Sequence, residues 1–246
     1  MKLLRTQLSR RTTFHFACSR CLRCCHGKDI QVNPYEIGRL AGNRGMSTTA
    51  FIGTYTAGGG TLLNWGDRGA CVFLDSKGCG VHQDRPLVCR LYPLGRHVRC
   101  GQESFSEIQP HSQCEGVYGE DSSIEDYLHA QGTGPFIEAA DRYLDVLWRL
   151  VDIVQRTAAD PDKKEVVLDI YRNFPLGRHK ENFNLMDMDA VVSVYCEENR
   201  YPFPVDVHKK MSFHIKAIEA WILTQEKGDG DEKIKKAKSR KTDSIR

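Results

Sequence analysis

The sequence lacks any apolar run long enough to cross a membrane as a helix. About eighteen uncharged residues are needed, and the richest stretch, Tyr143 to Val154, is broken by Asp145, Arg149 and Asp152. The N-terminal segment MKLLRTQLSRRTTFHFACSR has scattered basic residues but neither the unbroken apolar core nor the small-residue cleavage site of a secretory signal, so no export is expected. Charge of one sign is missing too. The 35 Lys and Arg against 32 Asp and Glu leave a net charge of +3, too weak a field to announce a polyanionic partner, and nucleic acid is not expected. Neither GxGxxG nor GxxxxGK[ST] occurs, so the glycines of AGGGTLLNWG read as a flexible turn before a strand rather than a phosphate loop. No nucleophile-elbow sequence marks a hydrolase. These absences lead us to expect a cytoplasmic chain with no membrane association.

What the chain does have is cysteine, ten in 246 residues. In a reducing compartment so many are not a disulfide framework, which leaves metal binding or catalysis. Nine lie at positions 18, 21, 24, 25, 71, 79, 89, 100 and 114, and Cys196 stands apart. Cys18-x2-Cys21-x2-Cys24-Cys25 is the most informative run, because a two-residue spacer lets thiolates turn inward on one centre while backbone N–H groups point at the sulfurs. Buried structural cysteines are the plain alternative, but four within eight residues flanked by Arg20, Arg23 and His26 are unlike a core.

The side chains of adjacent residues diverge, so Cys24 and Cys25 are expected to serve different centres, or one of them is spare. Cys71, Cys79, Cys89 and Cys114 supply four more thiols. Eight thiolates suit two four-coordinate sites, and one site with bystanders suits the spacing equally well. Four thiolates around Zn²⁺ or an oxidised cubane leave about −2 of charge, which Arg20, Arg23, Arg85, Arg90 and Arg96 are placed to offset. His26, His97 and His111 are surface residues by default, since thiols are in ample supply.

The residues around the cysteines predict an α+β fold with two unequal halves: a small, irregular cysteine-rich module over residues 1–119 containing a short antiparallel meander, then a mainly helical region over 120–228 and a disordered basic tail over 229–246. NPYEIGRL predicts a turn and a short helix. Strands are expected at Thr61 to Trp65, Cys71 to Leu74 and Cys79 to His82, the last two joined by the turn DSKG, and LVCRLYPLG predicts one or two helical turns. Amphipathic periodicity predicts helices over Ile124 to Ala130, Phe136 to Thr157, Lys163 to Phe174, Asp189 to Glu198 and Asp206 to Glu226, with Ser123, Asp189 and Asp206 as N-caps and Gly228 as a stop. Trp148, Phe213 and Trp221 fall in helical apolar patterns and are expected in the core.

FACSRCLRCCHG followed by CVFLDSKGCGVHQDRPLVCRLYPLG resembles the CxxCxxCC cysteine-cluster family, described as zinc- or iron-chelating. The likeness spans Phe16 to Gly119 and rests on Cys18, Cys21, Cys24, Cys25, Cys71 with Phe73 and Leu74, Cys79, Arg85-Pro86, and Cys89-Arg90 with Tyr92-Pro93. HSQCEGVYGED resembles a later Cys-x-Gly segment of longer members, which favours Cys114 over Cys100. Where this chain has His82 the family commonly has Tyr, which argues against a ligand there. The resemblance implies metal chelation through Cys18, Cys21, Cys24, Cys25, Cys71, Cys79, Cys89 and Cys114. One branch, the flagellin lysine N-methylases, implies S-adenosylmethionine and a protein substrate. This chain is short for that branch, shows none of its motifs in the helical half and lacks Cys-x3-Cys-x2-Cys. The Cys18-x2-Cys21-x2-Cys24 run mimics a cubane-binding sequence, although the ferredoxin-type fourth cysteine and following proline are missing, so an iron–sulfur cluster (4Fe-4S) is expected ahead of zinc. Either metal is expected to be needed for folding.

Overall fold

TFHFA alternates apolar and polar residues, and this two-residue period puts Phe14 and Phe16 on one face of a strand with His15 on the other. A computed structural model of the chain describes residues 2–157, 174–175 and 182–224. In it Thr13–Ala17 is strand β2, preceded by β1 (Leu3–Leu8). β2 buries both phenylalanines and pairs antiparallel with β9 (Val117–Ser123), Ala17 opposite Val117. β1 joins β7 (Leu94–Arg99) and β8 (Gln102–Ile108) in a three-stranded antiparallel sheet of order β1-β8-β7. The β7–β8 hairpin turns at Cys100 and Gly101, both with positive φ, the backbone demanded by a two-residue turn between twisted strands. Arg5, Arg10 and Arg96 cross this sheet to Glu107 and Glu103 at 2.5–2.6 Å.

The folded chain divides into two units, residues 1–140 and 141–246. The first holds strands β1 to β9, of which β3 (Thr56–Ala57), β4 (Leu62–Leu63), β5 (Leu74–Asp75) and β6 (Gly78–Cys79) are two-residue strands. Its helices are α1 (Pro34–Asn43), α2 (Thr48–Tyr55), α3 (Leu87–Leu91) and α4 (Ile124–Ala130), and α5 (Gly134–Thr157) begins in it. α1 starts as its sequence predicts: the Asn33 side chain accepts from Glu36 N–H, the Glu36 carboxylate accepts from Asn33 N–H, and Pro34 takes the first turn. Ser123 caps α4 in the same reciprocal way with Asp126. Phe14, Phe16, Leu91, Leu94, Phe105, Ile124, Tyr127 and Leu128 form a core to which both sheets, α3 and α4 contribute.

The expected meander is rearranged. β4 pairs with β3 across the turn of Gly58, Gly59 and Gly60, all with positive φ, and β5 and β6 make a separate hairpin. Trp65 and Cys71 meet in an isolated bridge between the two. The fold is α+β, with short antiparallel strands in the N-terminal half and helices beyond.

In the second unit the described helices include Met188–Asn199 and residues 207–224. The first is capped by Asp187, whose side chain accepts from Ala190 N–H, so the helix starts before Asp189. Asp189 instead accepts an ion pair from Lys210 at 2.6 Å. Trp148 departs from expectation by standing 65% exposed, while Phe213 and Trp221 are half-buried. The expected helix over Lys163 to Phe174, the stop at Gly228 and the tail over 229–246 lie outside the described residues, apart from Phe174 in a two-residue strand. Among the described residues no helix is long and apolar enough to cross a membrane.

His214 is fully buried here. Its Nδ1 meets the Tyr143 hydroxyl at 3.0 Å, while its Nε2 makes no hydrogen bond of good geometry. Burial pushes its pKa down to about 3, with the Leu185 backbone opposing. The unfolded chain takes up a proton near pH 6.5 that the folded chain refuses. Stability contributed by neutral His214 is therefore complete above that pH and lost as pH falls toward 3, by up to about 1.4 kcal/mol per pH unit. Denaturant unfolding should show the second unit about 2 kcal/mol weaker at pH 5 than at pH 6.5 from this residue. His214→Gln should remove that share of the slope, and an unchanged slope would refute the assignment.

Candidate metal centre

The loop from Cys18 to Cys25 turns inward because Arg20 and Leu22 both adopt left-handed backbone, at φ 56° and 65°. Each such residue costs about 1 kcal/mol or more when it is not glycine, so the turn is held by what surrounds it. Leu22 leads into a single 3₁₀ turn, Arg23–Cys25. Backbone N–H groups face sulfur, among them Arg20 N–H to Cys18 Sγ at 3.4 Å and Gly116 N–H to Cys114 Sγ at 3.5 Å.

The second half of the cysteine set is delivered by the ladders. Cys71 N–H donates to Cys25 C=O at 2.8 Å, beside the bridge between His26 and Ala70. Cys79 is carried by β6 opposite Leu74, whose N–H bonds back to Cys71 C=O. Cys89 sits in α3, fixed at its first residue by the buried Glu36 carboxylate, which accepts from Leu87 N–H at 2.6 Å. Cys114 precedes β9 and packs against the phenylalanine core.

These elements bring Cys18, Cys21, Cys24, Cys25, Cys71, Cys79, Cys89 and Cys114 onto the wall of one cavity of about 580 Å³. The two remaining cysteines are elsewhere, Cys100 exposed at the β7–β8 turn and Cys196 buried in the second unit. All ten are free thiols. Among the described residues no three Cys, His, Asp or Glu side chains are drawn together as a ready ligand shell for one ion. The chemistry of the donor set nevertheless fits a thiophilic metal: eight soft donors on one wall, with Lys28, Arg20 and Arg85 on the same wall to offset thiolate charge.

Thiol contacts shape the local electrostatics. The hydrogen bond from Cys25 brings the Cys24 thiol down to about 6, with Lys28 and Arg85 assisting and burial opposing. The same hydrogen bond, together with burial, holds Cys25 protonated. Burial raises Cys89 and Cys71, and neighbouring thiols add to it. Cys21 is lowered, chiefly by the Glu115 backbone, against burial. A cation entering here must displace protons from the raised thiols, so its affinity rises with pH.

Lys28 is a charged cavity residue that the sequence did not single out. Its Nζ lies 3.6 Å from the centroid of the Tyr92 ring, and burial lowers its pKa against the attraction of Cys24, Cys89, Cys25 and Cys114. No spacing rule singles out one lysine after a cysteine run. Of the five arginines expected to balance charge, Arg20 and Arg85 line the cavity. Arg90 is buried and donates to the carbonyls of Arg85, Gln131 and Gln83, stacked on Phe136, which fixes the loop before α3. Arg96 pairs with Glu103, and Arg23 is exposed. His26, His97 and His111 are not on the cavity wall; His82 is.

Residues 17–115 match the model of the CxxCxxCC family, whose description reads "Putative zinc- or iron-chelating domain". An uncharacterized protein of Methanocaldococcus jannaschii is 30% identical over 118 residues, covering 45% of this chain and 63% of that protein. The chain thus spans just under two thirds of that relative's length. No solved structure matches. The residues matched by the family model begin beside Cys18 and end just past Cys114, so they enclose all eight cavity cysteines.

Proposed function

We propose that this protein is an iron–sulfur protein, holding a cluster of the 4Fe-4S kind on the thiolates that line the cavity. The observation that carries this reading is that eight cysteines from five separate pieces of chain reach one wall, while Cys100 and Cys196 do not. Iron is favoured over zinc by the Cys18-x2-Cys21-x2-Cys24 run, and by a cavity far larger than a single ion requires. A cluster there would supply electron transfer or structural support. The chain's own residues would ligate it, offset its charge through Lys28, Arg20 and Arg85, and exclude water with Phe16, Phe73 and Leu94. We place it in the cytoplasm, where so many cysteines stay reduced and available to a metal.

A second reading is an S-adenosylmethionine-dependent enzyme acting on lysines of a partner protein. It draws on the apolar share of the same wall, where Ile30, Leu63 and Val81 leave room for an organic cofactor beside the thiols.

Iron and acid-labile sulfide, measured on protein purified without oxygen, test the first reading. Iron with matching sulfide and a broad absorption band near ~400 nm are expected. Zinc without colour would overturn the cluster and leave thiolate chelation standing. Equilibrium binding of S-adenosylmethionine to the same preparation separates the enzyme from the carrier, and no binding would remove the second reading.

A further inference from the structure

We propose that the eight cysteines divide into two centres, one ligated by Cys18, Cys21, Cys24 and Cys114 and the other by Cys25, Cys71, Cys79 and Cys89. This rests on the chelating role above and adds the ligand set of each centre.

The backbone makes the division. Cys18 and Cys114 flank the same end of the β2–β9 ladder, one residue beyond Ala17 and three before Val117, which are paired. Whatever binds Cys18 is therefore close to Cys114. Cys21 reaches the same place, because its thiol is hydrogen-bonded to that of Cys114 and it faces the Glu115 backbone. The tyrosines behind this end lie within electrostatic reach of the same group: Tyr92 of Cys114, Cys24 and Cys21, and Tyr127 of Cys18 and Cys24.

The other four are joined by a different set of backbone bonds. Cys71 N–H is tied to Cys25 C=O, and the flanking bond from Gly27 N–H to Gly69 C=O keeps the two segments in register. Leu74, bonded back to Cys71, places Cys79 by its pairing in the β5–β6 hairpin. Cys89 enters from α3, with Cys71, Cys24 and Cys79 among its charged neighbours, and Cys25 has Cys24, Cys79 and Cys89 among its own, so Cys24 borders this set as well.

Cys24 and Cys25 mark the seam. They are consecutive in a 3₁₀ turn, where successive side chains point about 120° apart, and the contact between their thiols means the two sets share one wall. Two anionic centres side by side would repel. Lys28 answers this by facing members of both sets, Cys24 and Cys114 of one, Cys89 and Cys25 of the other.

The test uses Co²⁺ as a reporter of thiolate ligation, added without oxygen to the full metal-free chain and followed by the sulfur-to-cobalt charge-transfer band. The band should rise until about two equivalents and then stop. Saturation at about one equivalent would overturn the division and leave chelation intact, whereas no band would overturn chelation itself. This stoichiometry depends on no variant folding. Cys114→Ser and Cys71→Ser should each keep about half of the band, and the double variant none. A single variant that binds no cobalt, or as much as the parent, would overturn the ligand assignment.

Discussion

Stripping the metal should unfold much of the N-terminal unit. Between Cys18 and Cys89 the regular structure is thin: α1 and α2 are the only helices of more than five residues, and the strands are two-residue ladders and isolated bridges. Such ladders cannot hold themselves, since even a full two-stranded hairpin is marginal in water. The Arg20 and Leu22 backbones add strain that ligation would help offset. Structural thiolate–metal binding contributes about 10 kcal/mol or more, comparable with the whole stability of a domain at about 5–15 kcal/mol. Amide hydrogen exchange read by mass spectrometry should therefore show protection lost across the cysteine segments when metal is removed, and kept in the helix Met188–Asn199. Cys89→Ser should act in the same direction. Protection that survives metal removal would show that apolar packing alone carries the unit.

Glu36→Ala should be the most damaging single change outside the cysteines. The Glu36 carboxylate is buried and serves two helices at once, accepting from Asn33 N–H at the start of α1 and from Leu87 N–H at the start of α3. Alanine leaves two half-buried donors without their partner, at about 1.5–3 kcal/mol for each bond to a charged group. It also frees the turn that positions Cys89, so metal affinity should fall with stability. Burial pushes the Glu36 pKa up to about 7, with the Leu87 and Asn33 N–H groups and Arg90 opposing. A folded pKa above the unfolded one means the folded chain holds the proton more tightly. This contribution is complete below pH 4.5 and is lost as pH rises through about 7. Unfolding midpoints compared at pH 5 and pH 8 should show that decline in the parent and a flatter profile in Glu36→Gln. Equal slopes would mean that the carboxylate is not titrating in the fold.

Where local chemistry decided the structure, the sequence was legible. Asn33, Pro34 and Glu36 specify the start of α1 by themselves, and Ser123 with Asp126 does the same for α4. β7 and β8 were not read because Arg96, Glu103 and Glu107, which cross-link the sheet, blur the two-residue apolar period. The turn signal Cys100-Gly101 was also hidden, since a cysteine there looks like a ligand rather than a residue at positive φ. β2 carried a usable signal in Phe14 and Phe16, but the stretch leading to it is rich in Arg and its partner β9 lies about a hundred residues on, a pairing that no local pattern encodes. Asp187 takes the cap from Asp189, and the helix begins two residues earlier with Met188 buried at its start. For the candidate site, the eight cysteines that share the cavity wall are the eight singled out by clustering and family resemblance. Their grouping was not, because it follows from which ladder delivers each thiol.

The central claim is that these eight thiols, and no others, hold the metal. Alkylation with iodoacetamide, mapped cysteine by cysteine by mass spectrometry before and after the metal is stripped, tests it most directly. Cys18, Cys21, Cys24, Cys25, Cys71, Cys79, Cys89 and Cys114 should be shielded in the protein as isolated and become reactive together once metal is gone, while exposed Cys100 labels in both states. Labelling of the eight at the rate of Cys100 before any metal is removed would contradict the account.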